Sequence, residues 1–152
     1  MMLPVYLGML RRSEAVLAES FREIARGHGD EPDVLQTCRA LATQCDAHEQ
    51  DLAPVVDRYG ERPDDEPDRL HAEALATTRS GPLGLLRDLQ ELHLLATFVA
   101  ETQTLVRQAA AALRDEELLD VLARTAAQTE TQIAWIGTRM KQAAPQALVA
   151  AG

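Results

Sequence analysis

The stretch from Pro82 to Leu113 constrains the fold more than any other part of the chain. At its centre lies Leu92-His93-Leu94-Leu95-Ala96-Thr97-Phe98-Val99-Ala100, which puts apolar residues on nearly every side of a helix. A helix that is apolar all round is expected to be buried all round. About thirty residues, at about 1.5 Å each, span about 45 Å. That is long for a globular helix and ordinary for the central helix of a bundle.

The other segments can supply the covering helices. Tyr6, Leu10, Ser13, Leu17, Phe21 and Ile24 recur at helical spacing and predict a first helix over about 4–26. Gly27-His28-Gly29 stops it, and Asp30 with Pro32 starts the next. The second helix is expected over about 31–59, on the stripe Leu35, Cys38, Leu41, Ala42, Cys45, His48, Leu52, Val55 and Val56. Pro54 lies inside that pattern and is expected to kink the helix or end it a turn early. Gly60 suits the position after its end.

Residues 60–81 form the longest break. It opens as an acidic, solvated loop, and Pro67–Thr78 is expected to form a short helix. The third helix then covers about 82–113. Asp115 is expected to cap a fourth helix over about 116–144, with Glu116 and Glu117 in its first turn. The stripe of this last helix is Leu118, Leu122, Ala126, Thr129, Ile133, Ile136 and Met140, with Trp135 to one side. Pro145 is expected to end it and leave a loosely held tail. The chain of 152 residues therefore reads as one all-α domain, a four-helix bundle of two antiparallel hairpins joined by a long crossover.

Composition narrows the function. Hydrophobic residues make up 46% and aromatic residues 3%, so Leu, Ala and Val must pack the core, which suits helices. The net charge of −9, from 24 acids against 15 bases, argues against nucleic acid and against an anionic membrane as partner. Stacking platforms are few: Tyr6, Phe21, Tyr59, Phe98 and Trp135. No run of about eighteen apolar residues is present to span a membrane. Met1-Met2-Leu3-Pro4 lacks the charged start of a signal peptide. Cys38 and Cys45 fall about 10 Å apart along one predicted helix, too far for a disulfide, so two reduced, buried thiols are expected. These points suggest a cytoplasmic protein. Arg supplies every base except Lys141, and Ala is abundant, which fits a GC-rich bacterial genome.

The hairpin, long crossover, hairpin layout resembles the ferritin-like superfamily over nearly the whole chain. Leu86-Arg87-Asp88-Leu89, Leu94-Leu95-Ala96-Thr97, Ala112 to Leu119 and Ala144 to Leu148 are also similar to a group of uncharacterised bacterial ferritin-like proteins. The superfamily resemblance implies a di-iron centre, built from one carboxylate on each of two helices and a Glu-x-x-His pair on each of the others. This sequence departs from that pattern. Helix two has Cys45-Asp46-Ala47-His48, and the best acid on helix four, Glu130, is followed by Ile133. Glu14 and Glu101 are the inward carboxylates expected from helices one and three.

The candidate metal ligands are thus Glu14, Cys45, His48 and Glu101, with Glu130 as an outer member. They suit one ion at most. The favoured expectation has no cofactor and no catalytic residue: a bundle acting through its surface, as a homodimer or with a protein partner. The surplus at Leu94, Leu95 and Phe98 and the side of helix four around Trp135 are the expected interfaces. The alternative is a metal-dependent oxidoreductase or metal-binding protein, with iron, zinc or another transition metal at an atypical Glu/Cys/His site. In the plainer reading, Cys45 is a small hydrophobe and His48 bonds polar groups near it, such as Gln44, Glu49 or Asp51. His93 is expected to bond an acid in the core, and His28 and His71 to be ordinary loop residues. Glu14 and Glu101 would either join His48, His93 or Arg107 in a buried network or reach water at the stripe's edge.

Overall fold

The structure is a computed structural model and describes residues 1–66 and 70–151. Its four long helices are α1 (Leu3–Gly27), α2 (Pro32–Tyr59), α3 (Gly81–Leu113) and α4 (Glu116–Pro145), and the described residues contain no strand. α1 and α2 pack as one hairpin and α3 and α4 as another, while α1 also packs on α3 and α2 on α4.

Contacts at the two ends give the directions. Arg139, near the end of α4, donates to Asp33 at the start of α2 (2.7 Å). At the far end, Arg58 of α2 donates to Asp115 before α4 (2.8 Å). His28, just past α1, meets Asp88 in the first turns of α3. Neighbouring helices therefore all run antiparallel. α2 and α3, joined by the crossover, run the same way, so the crossover must travel the length of the bundle.

The expected short helix is not seen among the described residues of the crossover. α2 has 28 residues and is about 42 Å long. Residues 60–80 must average about 2 Å each to cover that length, more than the rise of about 1.5 Å per residue in a helix, so the crossover is not helical throughout. Residues 70–80 contain no helix, and one 3₁₀ turn, Pro63–Asp65, is the only helical piece described in the crossover. Pro67, Asp68 and Arg69, also part of the expected helix, lie outside the described residues. Leu75 anchors the strap: its side chain is buried and its N–H donates to Ser20 Oγ (3.1 Å).

The alternative early end of α2 at Pro54 does not occur, and beyond Pro145, where α4 ends, the chain stays coiled. α2 continues through Pro54 to Tyr59. Both Pro54 and Gln50, whose carbonyl loses its partner, are exposed, so water can satisfy that carbonyl. α4 includes Pro145, and the chain turns on through a wide π-type turn, Gln146–Ala150, that buries Ala147. Asp115 caps α4 as expected, accepting from the Leu118 N–H (3.1 Å), and also accepts from Tyr59 Oη.

The core contains Leu10, Leu17, Phe21, Leu52, Leu92, Leu122 and Ile136. Tyr6, expected on the inner face of α1, is exposed, and Leu3 and Leu7 point inward instead. The largest correction concerns α3. Its inner face is the heptad line Leu89, Leu92, Ala96, Val99, Gln103, Val106 and Ala110. Leu94 and Leu105, on the outer face, are 67% and 58% exposed. α3 is thus apolar all round without being buried all round, because α1 and α4 cover only part of its circumference. No helix among the described residues is long and apolar enough to cross a membrane.

Candidate functional site

Each helix sends polar side chains to one level of the core. Glu14 stands between Leu10 and Leu17 on the buried stripe of α1, and Cys45 and His48 lie a turn apart on α2. α3 contributes Gln103, and α4 contributes Thr129 and Gln132, again three residues apart. All six are buried.

Glu14 is the centre of the cluster. Its Oε1 accepts from His48 Nδ1 (3.2 Å) and from Gln103 Nε2 (3.2 Å). Gln103 Nε2 also donates to Thr129 Oγ1 (3.0 Å). Thr129 Oγ1 in turn donates to the Thr125 carbonyl (3.0 Å). His48 Nε2 faces Gln128 Oε1 (2.6 Å). The imidazole therefore meets an acceptor at each nitrogen, an arrangement satisfied by the doubly protonated ring. Burial works against that charge, but the hydrogen bond and charge of Glu14, with the Gln128 acceptor, outweigh it and raise the His48 pKa.

Cys45 Sγ lies against Gln132, 3.7 Å from Oε1 and 3.6 Å from Nε2, and Gln132 Nε2 also donates to Gln44 Oε1 (3.1 Å). Burial, followed by the Glu14 charge, pushes the Cys45 thiol pKa far up. Cys45 is therefore held as a thiol, and the free thiolate needed for nucleophilic attack is disfavoured. Cys38, also a free buried thiol, is pushed up to about 12, chiefly by burial. Among the described residues, one atom of the central cluster has no hydrogen-bond partner, the buried Glu14 Oε2.

A second buried carboxylate, Asp88, sits at the end of the bundle where α3 begins. Its Oδ2 lies 2.7 Å from His28 Nε2 and accepts from the Arg79 N–H (2.9 Å), and its Oδ1 accepts from Arg79 Nη1 (2.6 Å). This cluster fastens the crossover to the α1–α2 turn. His28, expected to be an ordinary loop residue, is buried here.

Of the sequence candidates, Glu14, Cys45 and His48 come together. Glu101 and Glu130 do not: both are exposed. Glu101 lies two residues from Gln103, about 200° around the helix from the inward line. Glu130 lies one residue past Thr129, about 100° off it. His93 is half-buried and makes no side-chain hydrogen bond to an acid among the described residues, and Arg107 is exposed. His48 bonds Glu14 and Gln128 rather than Gln44, Glu49 or Asp51.

Sequence reasoning missed Gln103, Gln132, Gln128 and Asp88. The pattern for Gln132 was legible, since Thr129 already stood on the apolar stripe of helix four and Gln132 is three residues beyond it.

The donor set fits a metal ion poorly. It offers one carboxylate, a histidine engaged at both nitrogens, one thiol and neutral amides and hydroxyls. No group of three or more His, Cys, Asp or Glu side chains among the described residues is placed to hold an ion. No protein-family model, curated protein or solved structure matches the chain.

Proposed function

We propose that this chain is a ferritin-like bundle whose central site has exchanged metal ligands for hydrogen bonds, and that it works as a structural or interaction module. What carries the reading is the register of the buried polar residues. A di-iron bundle sets one Glu on each of two helices and Glu-x-x-His on each of the other two. This chain has Glu14 on α1 and Gln103 on α3, with Cys45-x-x-His48 on α2 and Thr129-x-x-Gln132 on α4. All six positions remain polar or sulfur-bearing and face inward, while only Glu14 and His48 keep their residue type.

The exchange is chemically coherent. Two facing carboxylates repel unless a cation lies between them. With Gln103 in place of one, the amide donates directly to Glu14, doing by hydrogen bond what a metal does by charge. His48, whose pKa Glu14 raises against the effect of burial, bonds the same oxygen from the other side. The apolar outer face of α3, with Leu94 and Leu105 exposed, supports a role exercised through the surface.

Elemental analysis of the untagged protein, after growth with iron, zinc and manganese in turn, tests the reading. Less than about a tenth of an equivalent of each metal is expected. Restoring the ligands together (Cys45→Glu, Gln103→Glu, Thr129→Glu, Gln132→His) should create metal binding. About one equivalent in the wild type, lost in His48→Ala, would overturn the reading and support an atypical metal protein using the unpartnered Glu14 oxygen.

A further inference from the structure

The outer face of α3 carries a symmetric pattern. Leu83, Leu94 and Leu105 are all exposed and recur every eleven residues. Eleven residues make about three turns, so these side chains fall in one line, each about 16 Å from the next. Arg87 and Glu101 lie on the same line, each seven residues from Leu94 and both exposed. Neither forms an ion pair among the described residues. The line thus reads Leu, Arg, Leu, Glu, Leu, with opposite charges at equal distances from an apolar centre.

We propose that α3 docks antiparallel on α3 of a second copy of this chain, about a two-fold axis through Leu94. Leu94 then meets Leu94, Arg87 of each copy meets Glu101 of the other, and Leu83 of each meets Leu105 of the other. A parallel pair would set Arg87 against Arg87 and Glu101 against Glu101, so the charges select the antiparallel arrangement. They also select a second copy over a peptide of one sign, because Glu101 opposes an acidic partner and Arg87 a basic one.

The flanking shape is suitable. Beside Leu105, a groove of about 300 Å³ is lined by Met2, Leu3, Tyr6, Leu105, Val106 and Ala109. It provides a seat for Leu83 of the second copy, and the two-fold repeats that seat at the other end. A contact that uses the same patch on both chains closes on itself as a dimer. This pairing deepens the interaction-module reading but rests on a different surface from the core site.

Sedimentation equilibrium at micromolar concentrations tests it. The wild type is expected to dimerise. Arg87→Glu and Glu101→Arg should each raise the dimer dissociation constant by about tenfold or more, because each places like charges face to face. Mixing these two variants should give a heterodimer, since each then presents the charges the other needs. The double swap in one chain should restore the homodimer. Leu94→Gln, made on an exposed position, provides a second break, and circular dichroism melting verifies folding of each variant.

A monomeric wild type, a dissociation constant unmoved by all three single variants, or a mixture that fails to associate would overturn the pairing. Metal content decides the core reading separately. A metal-free monomer would sink only the pairing, and a metal-loaded dimer showing the charge rescue would sink only the core reading.

Discussion

Glu14 and Asp88 are both carboxylates with no exposure to water, and the bundle completes them differently. Asp88 has every oxygen engaged: Arg79 binds Oδ1, and His28 with the Arg79 N–H binds Oδ2. Glu14 directs both its partners, His48 and Gln103, to Oε1 and leaves Oε2 without any. Buried polar atoms are rarely left unpaired in folded proteins. The Asp88 cluster therefore reads as a finished structural latch. The Glu14 cluster reads as a polar site whose hydrogen bonding is incomplete.

The sharpest way to break this contrast is to remove the latch. Asp88→Ala strips the shared acceptor from His28, the Arg79 guanidinium and the Arg79 backbone at once. The half-exposed Arg79 guanidinium can turn to water, but His28 Nε2 and the Arg79 N–H lose their acceptor. Each donor stranded in this way costs about 1–3 kcal/mol, a combined loss expected in urea unfolding. A loss below about 1 kcal/mol would mean that the crossover is held elsewhere, and the latch would lose its meaning.

Gly84→Ala tests the same end of the bundle by shape rather than charge. A Cβ on Gly84 would lie 2.6 Å from the Arg79 carbonyl carbon, so backbone must move. Overpacking of this kind costs about 1–3 kcal/mol. The expected signature is a stability loss smaller than that of Asp88→Ala, with faster amide exchange across residues 75–80 and little change near Glu14. Exchange unchanged in the strap would separate the steric contact from the latch.

The two carboxylates were not equally legible in the sequence. Glu14 is visible because α1 has one clear apolar stripe and Glu14 interrupts it between Leu10 and Leu17. Cys45 and His48 are visible for the same reason on α2. α3 has no such phase. Leu94, Phe98 and Leu105 suggest one inner face and Leu92, Val99 and Val106 another, and the first choice selects Glu101 where the fold uses Gln103. On α4 the acid nearest the apolar stripe is Glu130, but neutral Thr129 and Gln132 hold the inward positions. Asp88 and His28 are sixty residues apart and meet only because α3 starts where α1 ends. That adjacency follows from the directions of the helices, which helical periodicity alone does not specify. The all-helical bundle, its four helices and the Asp115 cap were legible because each rests on local pattern.

Glu14→Gln sharpens the contrast from the other side. The amide keeps the shape, can still accept from Gln103 and removes an anion that already has one oxygen unpartnered. Removing one partner of a buried pair is costly while the other stays charged, but His48 can release its proton. A loss of about 1–2 kcal/mol, smaller than that of Asp88→Ala, is therefore expected at neutral pH. The nitrogen resonances of His48 should report a lower pKa in this variant, because the Glu14 hydrogen bond and charge are what raise it. A loss as large as that of Asp88→Ala would show that Glu14 is as firmly built in as the latch.

The smallest expected effect is a pH slope, and it tests whether His48 is charged. Its folded pKa is raised, with Glu14 and Gln128 outweighing the opposing effect of burial. A group of this kind adds stability that is fully present below its unfolded pKa, close to the ordinary value of 6.5. That contribution is lost as pH rises through the higher folded pKa. The melting temperature of the wild type should therefore exceed that of His48→Gln by more at about pH 6 than at about pH 9, with the gap narrowing by a few degrees. A constant gap would mean no shift, and a gap that widens as pH rises through about 6.5 would mean an imidazole kept neutral in the core. One ring nitrogen would then present a lone pair to its neighbours, and the case for a self-neutralised site would give way to one for a ligand poised beside the unpartnered Glu14 oxygen.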